Sequence, residues 1–159
     1  MSGSNLSGNQ KRRMKSASRL YAVQALFQME ASQLPIDVVS KEFEEHRMGA
    51  ELDGVQLADG DIVHFNQVIA GAVNNQARID QMTDRALVAK WPIARLDPTL
   101  RSLFRAAGAE FIEGDTPPKV AIVEYVDVAL AFSPDGKERG FVNAVLDHMA
   151  RQARPEEFL

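Results

Sequence analysis

Apolar residues recur at three- and four-residue intervals along this chain, broken by prolines and glycines, and that pattern constrains it to a set of helices. Leu20, Val23, Leu26 and Phe27 fall at i, i+3, i+6 and i+7, with Ala17, Ala22 and Ala25 adding helix propensity between them. Ser16 or Ser18 is placed to cap this first helix, which should run to Ser32, because Pro35 disfavours helical geometry in the residue before it. Ile36, Val39 and Phe43 mark a second helix ending near Met48 and Gly49. Residues 49–60 (GAELDGVQLADG), with three glycines and three acids, read as a mobile acidic loop. Asp59 or Asp61 then caps a third helix carrying Ile62, Phe65, Ile69, Ala72 and Val73, with a break at Asn74 and Asn75. A fourth continues through Ile79 and Met82 to about Ala89, closed by Trp91 and Pro92. Asp97 ahead of Pro98 starts a fifth, with Leu100, Leu103, Phe104, Ala107 and Phe111 on one face and Gly114 at its end.

Residues 119–132 (KVAIVEYVDVALAF) fit two periods: Val120, Ile122, Val126, Val128 and Leu130 suit a strand, and Ile122, Val123, Val126, Ala129 and Leu130 suit a helix. The length exceeds a usual strand and no similar segment is available to pair with it, so helix is preferred. A last helix from near Lys137 to Ala153 carries Phe141, Val142, Val145, Leu146 and Met149. The expectation is an all-α fold of about seven helices, with a 20–50-residue repeat nowhere visible.

A chain of 159 residues suits one domain or two tightly packed subdomains, and its 45% hydrophobic and 25% charged residues are ordinary for a globular protein. Cysteine is absent, which excludes disulfides and thiolate chemistry and fits a reducing cytoplasm, the expected location. No apolar run reaches the length of a membrane span, and the basic N-terminus lacks the apolar stretch of a signal peptide.

Charge is unevenly spread. Residues 1–29 hold Lys11, Arg12, Arg13, Lys15 and Arg19 and no acid, so against a total of −4 the remaining 130 residues carry −9. Such asymmetry fits a basic arm that meets a polyanion, or a solubilising tail. Residues 1–15 (MSGSNLSGNQKRRMK) have almost no large apolar groups and are expected to be disordered when free. The folded unit then spans residues 16–153, followed by a tail at 154–159.

Catalytic chemistry finds little footing. His46, His64 and His148 are far apart and lack metal-ligand spacing, and no phosphate-loop, dinucleotide or nucleophile-elbow motif is present. The turn from Gly114 to Lys119 contains two prolines, which remove backbone donors that a phosphate cradle needs. Glu110 and Glu124 lie on apolar helices, where an ion pair with Arg105 or a helix cap accounts for them more simply than a catalytic dyad. No catalytic residue, metal or cofactor is expected. Nucleic acid is the better fit. Besides the arm, Lys137 and Arg139 precede Phe141, and cations beside an aromatic suit single-stranded RNA. From spacing alone, Phe141 reads slightly better as a core residue. The two basic stretches form one site only if the first and last helices are neighbours.

Three ordered segments carry a resemblance. Arg19 to Phe27 reads R-L-Y-A-V-Q-A-L-F, residues 115–124 read D-T-P-P-K-V-A-I-V-E, and residues 141–147 read F-V-N-A-V-L-D. Together, from about residue 12 to 150, they resemble the NusB family of bacterial transcription antitermination factors. Departures from its pattern are Phe27 for tyrosine, Val123 for asparagine and Ala144 for glycine. The resemblance implies two three-helix subdomains plus a connecting helix, and no enzymatic activity. It implies binding of boxA RNA of ribosomal RNA operons together with ribosomal protein NusE, within a complex on RNA polymerase. Carried over by position, RNA contacts fall on Arg12, Arg13, Lys15, Arg19 and Phe141; Lys137 and Arg139 are added from charge and proximity. The NusE surface falls on Phe27, Leu100 and Arg101. A monomer or a weak homodimer fits equally. Competing readings are a stand-alone relative of the NusB-like RNA-binding domain of rRNA cytosine methyltransferases, for which the chain lacks a following catalytic domain, and a pure protein-interaction scaffold.

Overall fold

The computed structural model describes residues 6–87 and 96–159. Helix α1 spans Gly8–Ser32, beginning well before Ser16. The reason is a capping box: the Gln10 N–H donates to Ser7 Oγ (3.1 Å) and the Ser7 N–H to Gln10 Oε1 (2.7 Å). The expected disorder of residues 1–15 is therefore corrected from Gly8 onward, and residues 1–5 lie outside the described residues. Gln33, in the left-handed region at φ 54°, ends α1 ahead of Pro35.

Helix α2 (Ile36–His46) leads into an ordered hairpin where a mobile loop was expected. Strands β1 (Glu51–Leu52) and β2 (Val55–Gln56) pair antiparallel, with Leu52 opposite Val55. The turn between them is Asp53-Gly54, both at positive φ (51° and 79°), the two-residue connection whose twist matches a hairpin. Tyr21 on α1 donates from its hydroxyl to Ala58 O (2.6 Å), which anchors the hairpin base to the body.

Asp61, rather than Asp59, caps α3 (Ile62–Asn74) by accepting from the His64 N–H. Helix α4 (Gln76–Ala86) follows at the expected break, and the expected closure at Trp91 and Pro92 lies outside the described residues. Asp97 caps α5 (Pro98–Glu113) through the N–H groups of Thr99 and Leu100. The ambiguous stretch is helix α6 (Pro118–Phe132), and α7 (Arg139–Ala153) ends in a short 3-10 turn, Pro155–Phe158. No helix among the described residues is long and apolar enough to cross a membrane.

Helix α5 organises the packing. It touches α1, α3, α4, α6 and α7. Its small residues Ala106, Ala107, Gly108 and Ala109 allow this close approach on several faces, while Leu103, Phe104 and Phe111 fill the core. A side chain at Gly108 would collide with Ile79 of α4. The buried residues form one continuous hydrophobic core that both helix groups share.

Candidate nucleic-acid interface

Each residue from Gly8 to Arg13 is exposed, so the first turns of α1 stand out from the body as a helical arm. Lys11, Arg12, Arg13 and Lys15 are all exposed on it. Lys11 and Lys15, one turn apart, share a face, and Arg12 lies on the same side as Ser16. The Ser16 hydroxyl donates to Glu124 Oε1 of α6 (2.5 Å), fixing the root of the arm against that helix.

Arg19 departs from the expectation of an RNA contact. Only 3% exposed, it donates from Nε to Glu110 Oε2 (2.8 Å), from Nη1 to Glu124 Oε1 (2.7 Å) and from Nη2 to Thr116 Oγ1 (3.2 Å). Its guanidinium is consumed in tying α1 to α5, α6 and the turn between them, and no phosphate can reach it. The Tyr125 hydroxyl completes the network by donating to Glu110 Oε2 (2.5 Å). Burial opposes ionisation of Glu110, but His64 and Arg19 outweigh it and hold the carboxyl at about 2, well below its ordinary 4.5. His64 Nε2 lies 3.4 Å from Glu110 Oε1. The partner expected for Glu110, Arg105, instead donates to Asp80 (2.9 and 3.0 Å).

At the other end of the expected surface, Lys137 and Arg139 are exposed at the start of α7. Phe141 is 40% exposed and meets Phe104 in an edge-to-face contact (centroids 6.4 Å apart, 68° between planes). It is thus a surface aromatic seated on the core, not a core residue. Helix α6 contacts both α1 and α7.

A second surface surrounds Phe27, which is 39% exposed. It borders an apolar groove of about 340 Å³ with Val23, Phe43, Arg47, Thr99 and Phe132. Leu100, expected on this surface, is 7% exposed and packs into the core, so its neighbour Thr99 takes its place at the groove. Arg101 is engaged by Glu30 and by Leu96 O (3.0 Å). Phe132 was not singled out by sequence, because an aromatic at the C-terminal end of an apolar helix reads as core; only the packing shows it 40% exposed.

The fold and these surfaces define an all-α protein that presents a basic helical arm and an apolar, aromatic groove. Residues 16–151 match the model of the NusB family, and the chain belongs to that family. It is 43% identical over 152 residues to "Transcription antitermination protein NusB" of Rhodopseudomonas palustris (strain BisB18), covering 95% of this chain and 89% of that protein. To the protein of the same name from Caulobacter vibrioides it is 45% identical over 141 residues, covering 88% and 94%. Among solved structures, T. maritima NusB superposes with a TM-score of 0.69 at 28% identity, covering 90% of this chain and 95% of that one. A crystal structure of "antitermination factors NusB and NusE in complex with dsRNA" shares the fold, with a TM-score of 0.70 at 22% identity over 88% of this chain and 98% of that one.

Proposed function

We propose that this chain is a transcription antitermination factor that binds boxA RNA of ribosomal RNA operon transcripts together with ribosomal protein NusE and joins the antitermination complex on RNA polymerase. The observation that carries the RNA half is the preformed helical arm with Lys11, Arg12, Arg13 and Lys15 exposed at the edge of an otherwise acidic body. Such an arm meets phosphates with little ordering cost, while Phe141 supplies a ring face for an unstacked base. Family membership supports the same reading, as does the likeness of fold to a NusB that was crystallised with NusE and dsRNA. NusE, a basic partner in this reading, docks on the Phe27–Phe132 groove, and the protein acts in the cytoplasm as a binding protein without chemistry of its own. The methyltransferase-related reading has no observation in its favour, since the similar relatives named above are antitermination proteins matched over most of their length.

RNA titrations across a salt series test this. Replacing Arg12, Arg13 and Lys15 by alanine should flatten the slope of log affinity against log salt by roughly 0.7 for each phosphate that is no longer neutralised. Phe141→Ala should weaken binding by about 1–3 kcal/mol without changing that slope. An unchanged slope in the triple variant would sink the phosphate role of the arm.

A further inference from the structure

The proposed RNA surface has a charged end at the arm and another at the start of α7, and α6 packs against both α1 and α7. On α6, Val123 is 60% exposed, and Asp127, one turn further on, is exposed with it. Beside it, α6 and α7 enclose a cleft of about 360 Å³ lined by Val123, Val126, Asp127, Arg139, Gly140 and Asn143. Among the described residues, the side chains of Asp127, Arg139 and Asn143 make no hydrogen bond or ion pair with another group of the chain.

Gly140 points to what the cleft is for. It lies in the first turn of α7 without a positive φ, and a Cβ built there meets nothing within 4 Å. Neither backbone conformation nor packing calls for glycine, which destabilises a helix relative to alanine. It lines the cleft, next to the exposed ring of Phe141.

We propose that this cleft is a nucleobase pocket in which single-stranded RNA, crossing from the arm to Phe141, seats one guanine. This rests on the RNA-binding reading above. Val123 and Gly140 offer the apolar walls that a flat base needs. The ionised carboxylate of Asp127 only accepts hydrogen bonds, so it takes the adjacent ring N–H and amino group of guanine together. Adenine and cytosine bring an amino group without the neighbouring ring N–H, and the ring N–H of uracil is flanked by carbonyl oxygens that the carboxylate repels. The Asn143 amide, which donates and accepts, matches the guanine carbonyl, and Arg139 at the rim meets the phosphate.

Fluorescence anisotropy on the full chain tests the pocket, using short single-stranded RNAs that contain guanosine, inosine in its place (which lacks the amino group), or neither. Wild type should prefer the guanosine RNA to the inosine RNA by about tenfold. Gly140→Leu, which fills the cleft, should lose that preference and about tenfold in affinity, with the salt slope and thermal midpoint retained. Asp127→Asn, a surface change, should erase the preference alone, and Gly140→Ala should remain folded with the cleft still open. Wild-type binding with a full salt slope but no preference for guanosine, or Gly140→Leu binding as wild type does, overturns the pocket and leaves the arm standing. Failure of wild type to bind any of these RNAs overturns the RNA reading and the pocket with it.

Discussion

Two guanidinium groups on one helix, Arg12 and Arg19, differ in everything except their chemistry. Arg12 stands in solvent on the arm, whereas Arg19 is enclosed by Glu110, Glu124 and Thr116. Removing one member of a buried ion pair leaves the other charge uncompensated, so Arg19→Ala should cost about 3–5 kcal/mol in urea denaturation, while Arg12→Ala leaves the midpoint in place. The Glu110 carboxyl adds a pH signature. Its folded value of about 2 lies below the ordinary 4.5. The stability it contributes is therefore complete above 4.5 and lost as pH falls through about 2. Glu110→Gln should remove that acid-side decline, and an equal decline in both proteins would show that other carboxylates control it. From sequence, Arg19 is one more cation in a basic run. Its separate role depends on Glu110 and Glu124, residues 91 and 105 positions away, reaching the same spot.

At the scale of elements, local signals decided starts and turns. Asp97-Pro98 opens α5, and Asp53-Gly54 closes the hairpin. The capping box of Ser7 and Gln10 was not singled out in the sequence, because the polar composition of residues 1–15 argued for disorder. Capping prevailed because α1 is already nucleated by its buried half from Ser18 onward, and extending an existing helix is far easier than starting one. Ser7→Ala should therefore weaken only the arm, by about 1 kcal/mol, seen as faster amide exchange over residues 8–14 with an unchanged global melting midpoint. In α6, Pro118 at the first turn and contacts with α1, α5 and α7 settled the helix where periodicity allowed a strand.

Across the whole molecule, the arm and the Phe27 groove lie on different parts of α1, with Arg12 near its start and Phe27 near its end. The two are about 15 residues apart and so roughly 22 Å apart along the helix axis. Separate sites on one rigid helix allow two partners to bind side by side. Phe27→Asp should accordingly abolish the gain in RNA affinity on adding NusE while leaving the salt slope of the free protein intact, measured by anisotropy with and without NusE. A flattened slope in Phe27→Asp alone would instead mean that the two surfaces are one.

By itself the sequence determined the helices, because apolar spacing, caps and prolines act over a few residues. It also determined the basic arm on an acidic body and the ordered motifs that mark the family. Only the tertiary structure decided which side chains those helices leave at the surface. It withdrew Arg19 and Leu100 into the interior, brought Phe132 beside Phe27 and left Phe141 exposed. It also opened a cleft between α6 and α7 around an otherwise unremarked glycine. The reason is physical: a periodic stripe shows which face of a helix is apolar, but burial depends on which other helix covers that face, and that is settled by contacts between residues far apart in the chain.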